Sequence, residues 1–350
     1  MKKSLLLSLS VLMLGASFGF MASDGWAATS SKPMELIFSS SLPPQSPAAK
    51  LLVKWMETIE QKSGGRVKFV PYWGTTLLPS AEAIKGVIAG TADVAPVSAG
   101  TQDYLPLSYN ITYLPFMGYP SMKAGMKIYT QLYGKFPAIR DEFTGLKWLA
   151  SRVMPPAQIH TAKKAVRVPS DLKGMKIALF GGGRLSQFVK SIGAAPVDVP
   201  LSELNMALST GVVEGLIDHF PTVNIFGLMP ALSYHTVLGE GGISMLLWSL
   251  VMNAKTFDKL PPDVQKIVEE TSIGWAEEST RVDIGEIDRA VNKAKELKQT
   301  VTYATDQELK MWATNASETH QNWISEMQSK GKPAKAIYEE AARLIKEYRD

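Results

Sequence analysis

The chain has 350 residues, with 37 Lys plus Arg against 33 Asp plus Glu and a formal net charge of +4. A cationic excess this small and this evenly spread argues against nucleic acid or an anionic membrane as partner. The absence of cysteine excludes disulfides, thiolate metal sites and lipid attachment through Cys.

Lys2 and Lys3 precede an apolar stretch from Leu5 to Phe20, and small residues lead to Gly25-Trp26-Ala27-Ala28. This three-part pattern predicts a secretory signal over residues 1–27, cut after Ala27. The run is shorter than the roughly 20 apolar residues of a spanning helix. The expected mature chain has 323 residues (350 minus 27) in the periplasm. That length suits a large core and two domains.

Short apolar runs then alternate with helical patterns, which predicts an α/β protein. Met34 to Phe38 reads as a strand, and Pro47 to Lys62 as an amphipathic helix carrying Leu51, Leu52, Trp55, Met56 and Ile59 on one face. Arg66 to Val70 reads as a strand, Ser80 to Ala89 as a helix, and Asp93 to Ser98 as a strand, which together predict a mostly parallel sheet. A second set follows: strands at Leu146 to Ala150, Lys173 to Phe180, Gly215 to Phe220 and Ser233 to Leu238, with helices at Leu185 to Ile192 and Leu201 to Thr210. Ile243 to Met252 is nearly uncharged, as befits a buried strand that runs back into the first domain. Beyond Pro261-Pro262 a helical pattern continues to about Lys298, Thr305 and Glu308 have capping-box spacing, and Ala334 to Tyr348 ends the chain as an amphipathic helix. The economical architecture is two lobes sharing crossing strands, with a helical tail. The expected bounds are 28–155 plus about 244–283 for lobe I, 156–243 plus about 284–306 for lobe II, and 307–350 for the tail.

Catalytic signatures are missing. His160, His219, His235 and His320 are never three to five residues apart, HExxH does not occur, and the expected mature chain has no GxSxG elbow. No cofactor or metal is expected, and the chain is read as a non-enzyme. Phe180-Gly181-Gly182-Gly183-Arg184, between a predicted strand and helix, either forms a plain turn or holds an anion on its amides and Arg184. Trp73 and Phe220 are expected to line a cleft; Trp248 is expected in the core.

Six segments, in order, resemble one family. They are SLPPQSPAAKLLVKWMETIEQKSGGRVKFVPYWGTTL (41–77), AIKGVIAGTADVAPVSAG (83–100), NITYLPFMGYP (110–120), SDLKGMKIAL (170–179), GAAPVDVPLSELNMALSTGVVEGLID (193–218) and NAKTFDKLPPDVQKIVEE (253–270). The chain resembles the periplasmic solute-binding subunits of TRAP transporters, of the DctP type. That resemblance implies two lobes closing on a small-molecule ligand, with membrane transporter subunits as partners; the chain itself is expected to be a monomer. It also implies pocket residues at Ser41, Ser98, Gln158 and Asp218.

Two departures bear on the ligand. The Arg with which the family usually binds a carboxylate corresponds to Ala178, and a second corresponds to Gln158. Losing a cation while gaining Asp218 predicts a neutral or amine-bearing ligand, received by Asp218 and aromatic faces. The alternative is an organic acid held by Arg184 and the Gly181–Gly183 turn, or service to an ATP-driven importer. Arg152 is the weaker substitute, being expected to face solvent.

Overall fold

The computed structural model describes residues 32–97, 104–179, 183–201 and 203–349. The predicted signal, Ser98, Phe180, Gly181 and Gly182 lie outside the described residues.

Strand β1 (Met34–Ser39) turns Leu36 and Phe38 inward, and helix α1 (Pro47–Lys62) covers them with Leu52, Trp55, Met56 and Ile59. Ser46 caps α1 by accepting the Ala49 N–H at 3.3 Å, and Pro47 stands at its first turn. Strand β2 (Val67–Tyr72), helix α2 (Ala83–Ala89) and strand β3 (Val94–Val97) complete a parallel set. Helices α3 (Pro106–Tyr113), α4 (Met122–Lys135) and α5 (Pro137–Arg140) lead to strand β4 (Leu146–Val153).

The chain then crosses into a second sheet through strand β5 (Gln158–Thr161). Strand β6 (Lys176–Leu179), helix α6 (Gly183–Ser191), strand β7 (Ala195–Asp198), helix α7 (Leu204–Thr210), strand β8 (Gly215–Asp218), helix α8 (Phe220–Ile225) and strand β9 (Tyr234–Val237) follow. Strand β10 (Leu247–Asn253) returns to the first sheet, followed by helix α9 (Ala254–Asp258) and the 35-residue helix α10 (Pro262–Glu296). Strand β11 (Thr300–Tyr303) joins the second sheet, and helices α11 (Asp306–Ser329) and α12 (Ala334–Glu347) end the described chain.

The sheet orders are β2-β1-β3-β10-β4 and β11-β9-β5-β8-β6-β7. Each sheet contains one antiparallel strand, β10 in the first and β5 in the second, so both are mixed. The reason is topological: a chain that crosses directly from one sheet's carboxyl edge meets the other sheet at its carboxyl edge. Three backbone hydrogen bonds zip the two crossings together: Met154 N–H to Leu246 O, Ala157 N–H to Ser244 O, and Ile243 N–H to Ala157 O, at 2.8–2.9 Å. Helix α10, about 50 Å long at 1.5 Å per residue, is the third link. Its first half packs Val264, Val268 and Trp275 into the first core; its last turns put Ala290 and Ala294 into the second.

The return of the 243–252 run to the first sheet matches expectation. Other readings need correction. Residues 80–89 split into a 3-10 turn (Ser80–Glu82) and α2. The strand predicted through Phe220 stops at Asp218, because His219 caps α8 by accepting the Thr222 N–H and Pro221 cannot donate to a ladder. Helices α3 and α4 and strands β5, β7 and β11 were not anticipated from periodicity. The capping box is formed: the Thr305 hydroxyl accepts the Glu308 N–H, and the Glu308 carboxylate accepts the Thr305 N–H at 2.7 Å. Helix α11 buries Trp312 against Phe116 and Phe188, and α12 packs Ile337, Ala341, Leu344 and Ile345 against the α4 region.

Candidate functional site: the facing carboxyl edges

Ligands of parallel α/β sheets bind beyond the carboxyl ends of the strands, and here the two crossings bring those edges together. From the first sheet comes Arg152, near the end of β4, with Trp248 directly opposite it on β10. The guanidinium carbon lies 4.6 Å from the Trp248 ring centroid, a cation–π contact. Arg152 is 2 % exposed and ion-paired with Asp283 of α10. Its Nε has no hydrogen-bond partner among the described residues.

His219, which caps α8, adds to Arg152 in lowering the proton affinity of Asp283. Burial is nevertheless the larger effect and pushes the Asp283 carboxyl above its ordinary range. Burial likewise lowers the Arg152 pKa against the pull of Asp283, although a guanidinium of this type stays charged. Desolvation of each ion thus offsets much of their attraction. Asp218 ends β8; its Oδ1 accepts the His219 N–H at 2.6 Å, and its charge, after burial, helps raise the Tyr113 hydroxyl. Tyr113 and Tyr109 of α3 stand with ring centroids 5.0 Å apart.

The residues singled out from sequence fall into distinct settings. Asp218 reaches this edge half-buried. Ser41 is exposed just beyond β1, and Trp73 is half-buried just beyond β2 with its ring 5.3 Å from Phe38. Gln158 is buried with both polar ends engaged: Oε1 accepts the Leu238 N–H at 2.7 Å, and Nε2 donates to Gly239 O at 3.4 Å. Replacing it by Leu leaves a buried amide unpaired, so Gln158→Leu is expected to cost about 1–3 kcal/mol. A lowered urea midpoint at unchanged slope checks this.

Phe220, expected on a cleft wall, is a core ring: it is 2 % exposed and meets His160 edge-on at 4.7 Å. Arg184, the anion candidate, is paired with Glu326 of α11 and with Gln187, so its guanidinium fastens the tail to α6. Arg152, expected to face solvent, is buried; Asp283, which makes that burial tolerable, lies 131 residues away. Ala178 is wholly enclosed in the apolar cluster with Leu204, Leu216 and Phe220. Trp248 is buried, as expected. Sequence reasoning missed Asp283, His219 and Tyr113, which carry no spacing signal.

Two mixed α/β sheets, carboxyl edge to carboxyl edge and joined by crossing strands, define the class of bilobed solute-binding proteins. Residues 38–326 match the model of the bacterial extracellular solute-binding protein family 7, of DctP type, and the chain belongs to that family. It is similar to the outer membrane transporter protein TsaT of Comamonas testosteroni, 29 % identical over 302 residues, covering 85 % of this chain and 87 % of that one. Among solved structures it is similar to a TRAP periplasmic solute-binding protein from Desulfovibrio salexigens (26 % identity, TM-score 0.80, 90 % of this chain and 96 % of that one). It is likewise similar to a TRAP solute-binding protein from Rhodoferax ferrireducens, in complex with copurified benzoate (25 % identity, TM-score 0.77, 90 % and 98 %). The protein is an extracytoplasmic solute-binding protein of TRAP type, which binds a small molecule and works with membrane subunits of the transporter.

Proposed function

We propose that the ligand is a small ring-bearing organic acid, bound between the two carboxyl edges with its anionic group on Arg152. The observation that carries this reading is the Arg152 guanidinium: buried, stacked on Trp248, and with its Nε unpartnered among the described residues. A planar cation of this kind suits a carboxylate or sulfonate, and it stands in for the family Arg that Ala178 replaces. Arg184 is the poorer candidate, being engaged by Glu326. The benzoate bound by the Rhodoferax ferrireducens protein supports an aromatic acid. On this reading Asp218 accepts a ligand hydroxyl, and the half-buried Trp73 offers its ring.

A second reading, a neutral or amine-bearing ligand, rests on Asp218, whose Oδ1 is committed to the His219 amide while its carboxylate remains half-buried at the edge. The lobes would divide near 155 and 243, with the 154–157 and 243–246 segments as the hinge. Closure would favour whichever orientation gives the ligand more contact. We further propose a cleaved signal over residues 1–27, a monomer, and binding without catalysis.

Calorimetry with benzoate and ring-substituted carboxylates and sulfonates tests the acid reading. The variant Arg152→Met/Asp283→Leu removes both charges together, which typically preserves or raises stability. An acid that binds the parent is expected to lose about 10- to 150-fold in affinity, the worth of a charge-assisted hydrogen bond. Undiminished affinity in a folded double variant would remove Arg152 from the site.

A further inference from the structure

In the second sheet two histidines face each other across neighbouring strands, His160 on β5 and His235 on β9. Both are almost wholly buried, and their Nδ1 atoms stand 2.7 Å apart. The outer ends of the pair fix the protons. His160 Nε2 lies 3.1 Å from the Asp218 carbonyl oxygen, which can only accept, so this nitrogen carries a hydrogen. His235 Nε2 lies 2.9 Å from Gln299 Oε1. The Gln299 amide cannot be reversed, because its Nε2 donates to Met229 O and Leu232 O at 2.6 and 2.7 Å. A reversed amide would turn its oxygen towards two carbonyls. Oε1 therefore accepts, and His235 Nε2 also carries a hydrogen.

Two neutral imidazoles have two ring hydrogens in total, and both are now placed. The inner nitrogens would then oppose bare lone pairs at 2.7 Å, a repulsive arrangement where a hydrogen bond has room to form. We infer that the His160–His235 pair holds a third, shared proton between its Nδ1 atoms, and so forms a buried proton-binding site with one positive charge. The Phe220 ring, 4.7 and 5.5 Å from the two imidazoles, lies beside that charge.

Burial lowers the proton affinity of both rings, and for His160 the proximity of His235 and His219 adds to the effect. Against this stand the hydrogen bonds of His160 to the Asp218 carbonyl and of His235 to Gln299, which favour the proton; a second proton between the rings would set two cations face to face. The surrounding titratable groups are few. Asp218 ends β8 and His219 caps α8, and α10 brings Arg289 and Lys293, which are exposed and paired with Glu286 and Glu296. Tyr234 is adjacent to His235 on β9 and its side chain leaves by the opposite face. Because His160 donates to the Asp218 carbonyl, the shared proton is linked to the strand end at the candidate site.

The test is a count. In wild-type protein with 15N-labelled histidine, long-range 1H–15N spectra at pH 7, assigned through bonds from each Cβ, report which ring nitrogens are protonated. Three hydrogens on the four nitrogens of His160 and His235, one of them coupled to both Nδ1 atoms, are expected. Two hydrogens, with each ring neutral, would overturn the proposal. The count uses unmodified protein and no ligand, so it stands apart from the assignment of Arg152.

Discussion

Arg152→Ala is expected to lower stability by about 3–5 kcal/mol at neutral pH, because it leaves the Asp283 carboxylate buried without its counter-charge. The deficit should shrink on acidification. Burial holds the Asp283 carboxyl above its ordinary range even beside Arg152, and loss of the guanidinium removes a group that opposes this. A carboxyl raised in the folded state gains stability as pH falls through its folded value towards the unfolded value near 4. Urea unfolding from pH 7.5 to 4.5 should therefore bring variant and parent closer together. A deficit that stays constant with pH would mean that lost packing on Trp248, rather than the stranded carboxylate, is responsible.

The second large effect concerns the tail. Trp312 of α11 is fully buried, stacks on Phe116 at 5.5 Å, and donates its indole N–H to Arg167 O at 2.9 Å. Trp312→Ala opens a cavity and strands that carbonyl, and is expected to cost about 3–5 kcal/mol. Because α11 packs on α6 and α12 on α4, amide exchange should quicken in both C-terminal helices before it does in β1 or β5. Equal loss of protection throughout the chain would show instead that the tail unfolds only with the whole.

Local signals were legible where they acted alone. Pro47 and the apolar spacing from Leu51 to Ile59 mark α1, and the Thr305–Glu308 box starts α11. The uncharged 243–252 run betrayed a buried strand. Signals failed where tertiary partners decide. Helix α3 is buried on nearly every side, so it shows no amphipathic period. Strand β5 reads Gln-Ile-His-Thr, polar enough for a loop, yet Gln158 and His160 find partners on distant segments and the Thr161 hydroxyl donates to Lys164 O. Arg152 misled for the same reason: an arginine is ordinarily exposed, and the Asp283 that accommodates it is distant in sequence. Asp218 was singled out through the resemblance and not through its place in the strand, which was read on to Phe220; the engagement of Arg184 by Glu326 was not legible, because it depends on how the tail docks.

The most direct test of the acid reading is native mass spectrometry of the protein as purified after export, followed by identification of the released molecule. An organic anion with an aromatic ring is the predicted result and would place the charge of the ligand opposite Arg152. A neutral or cationic molecule would contradict it, and would make Asp218 the group that selects the ligand.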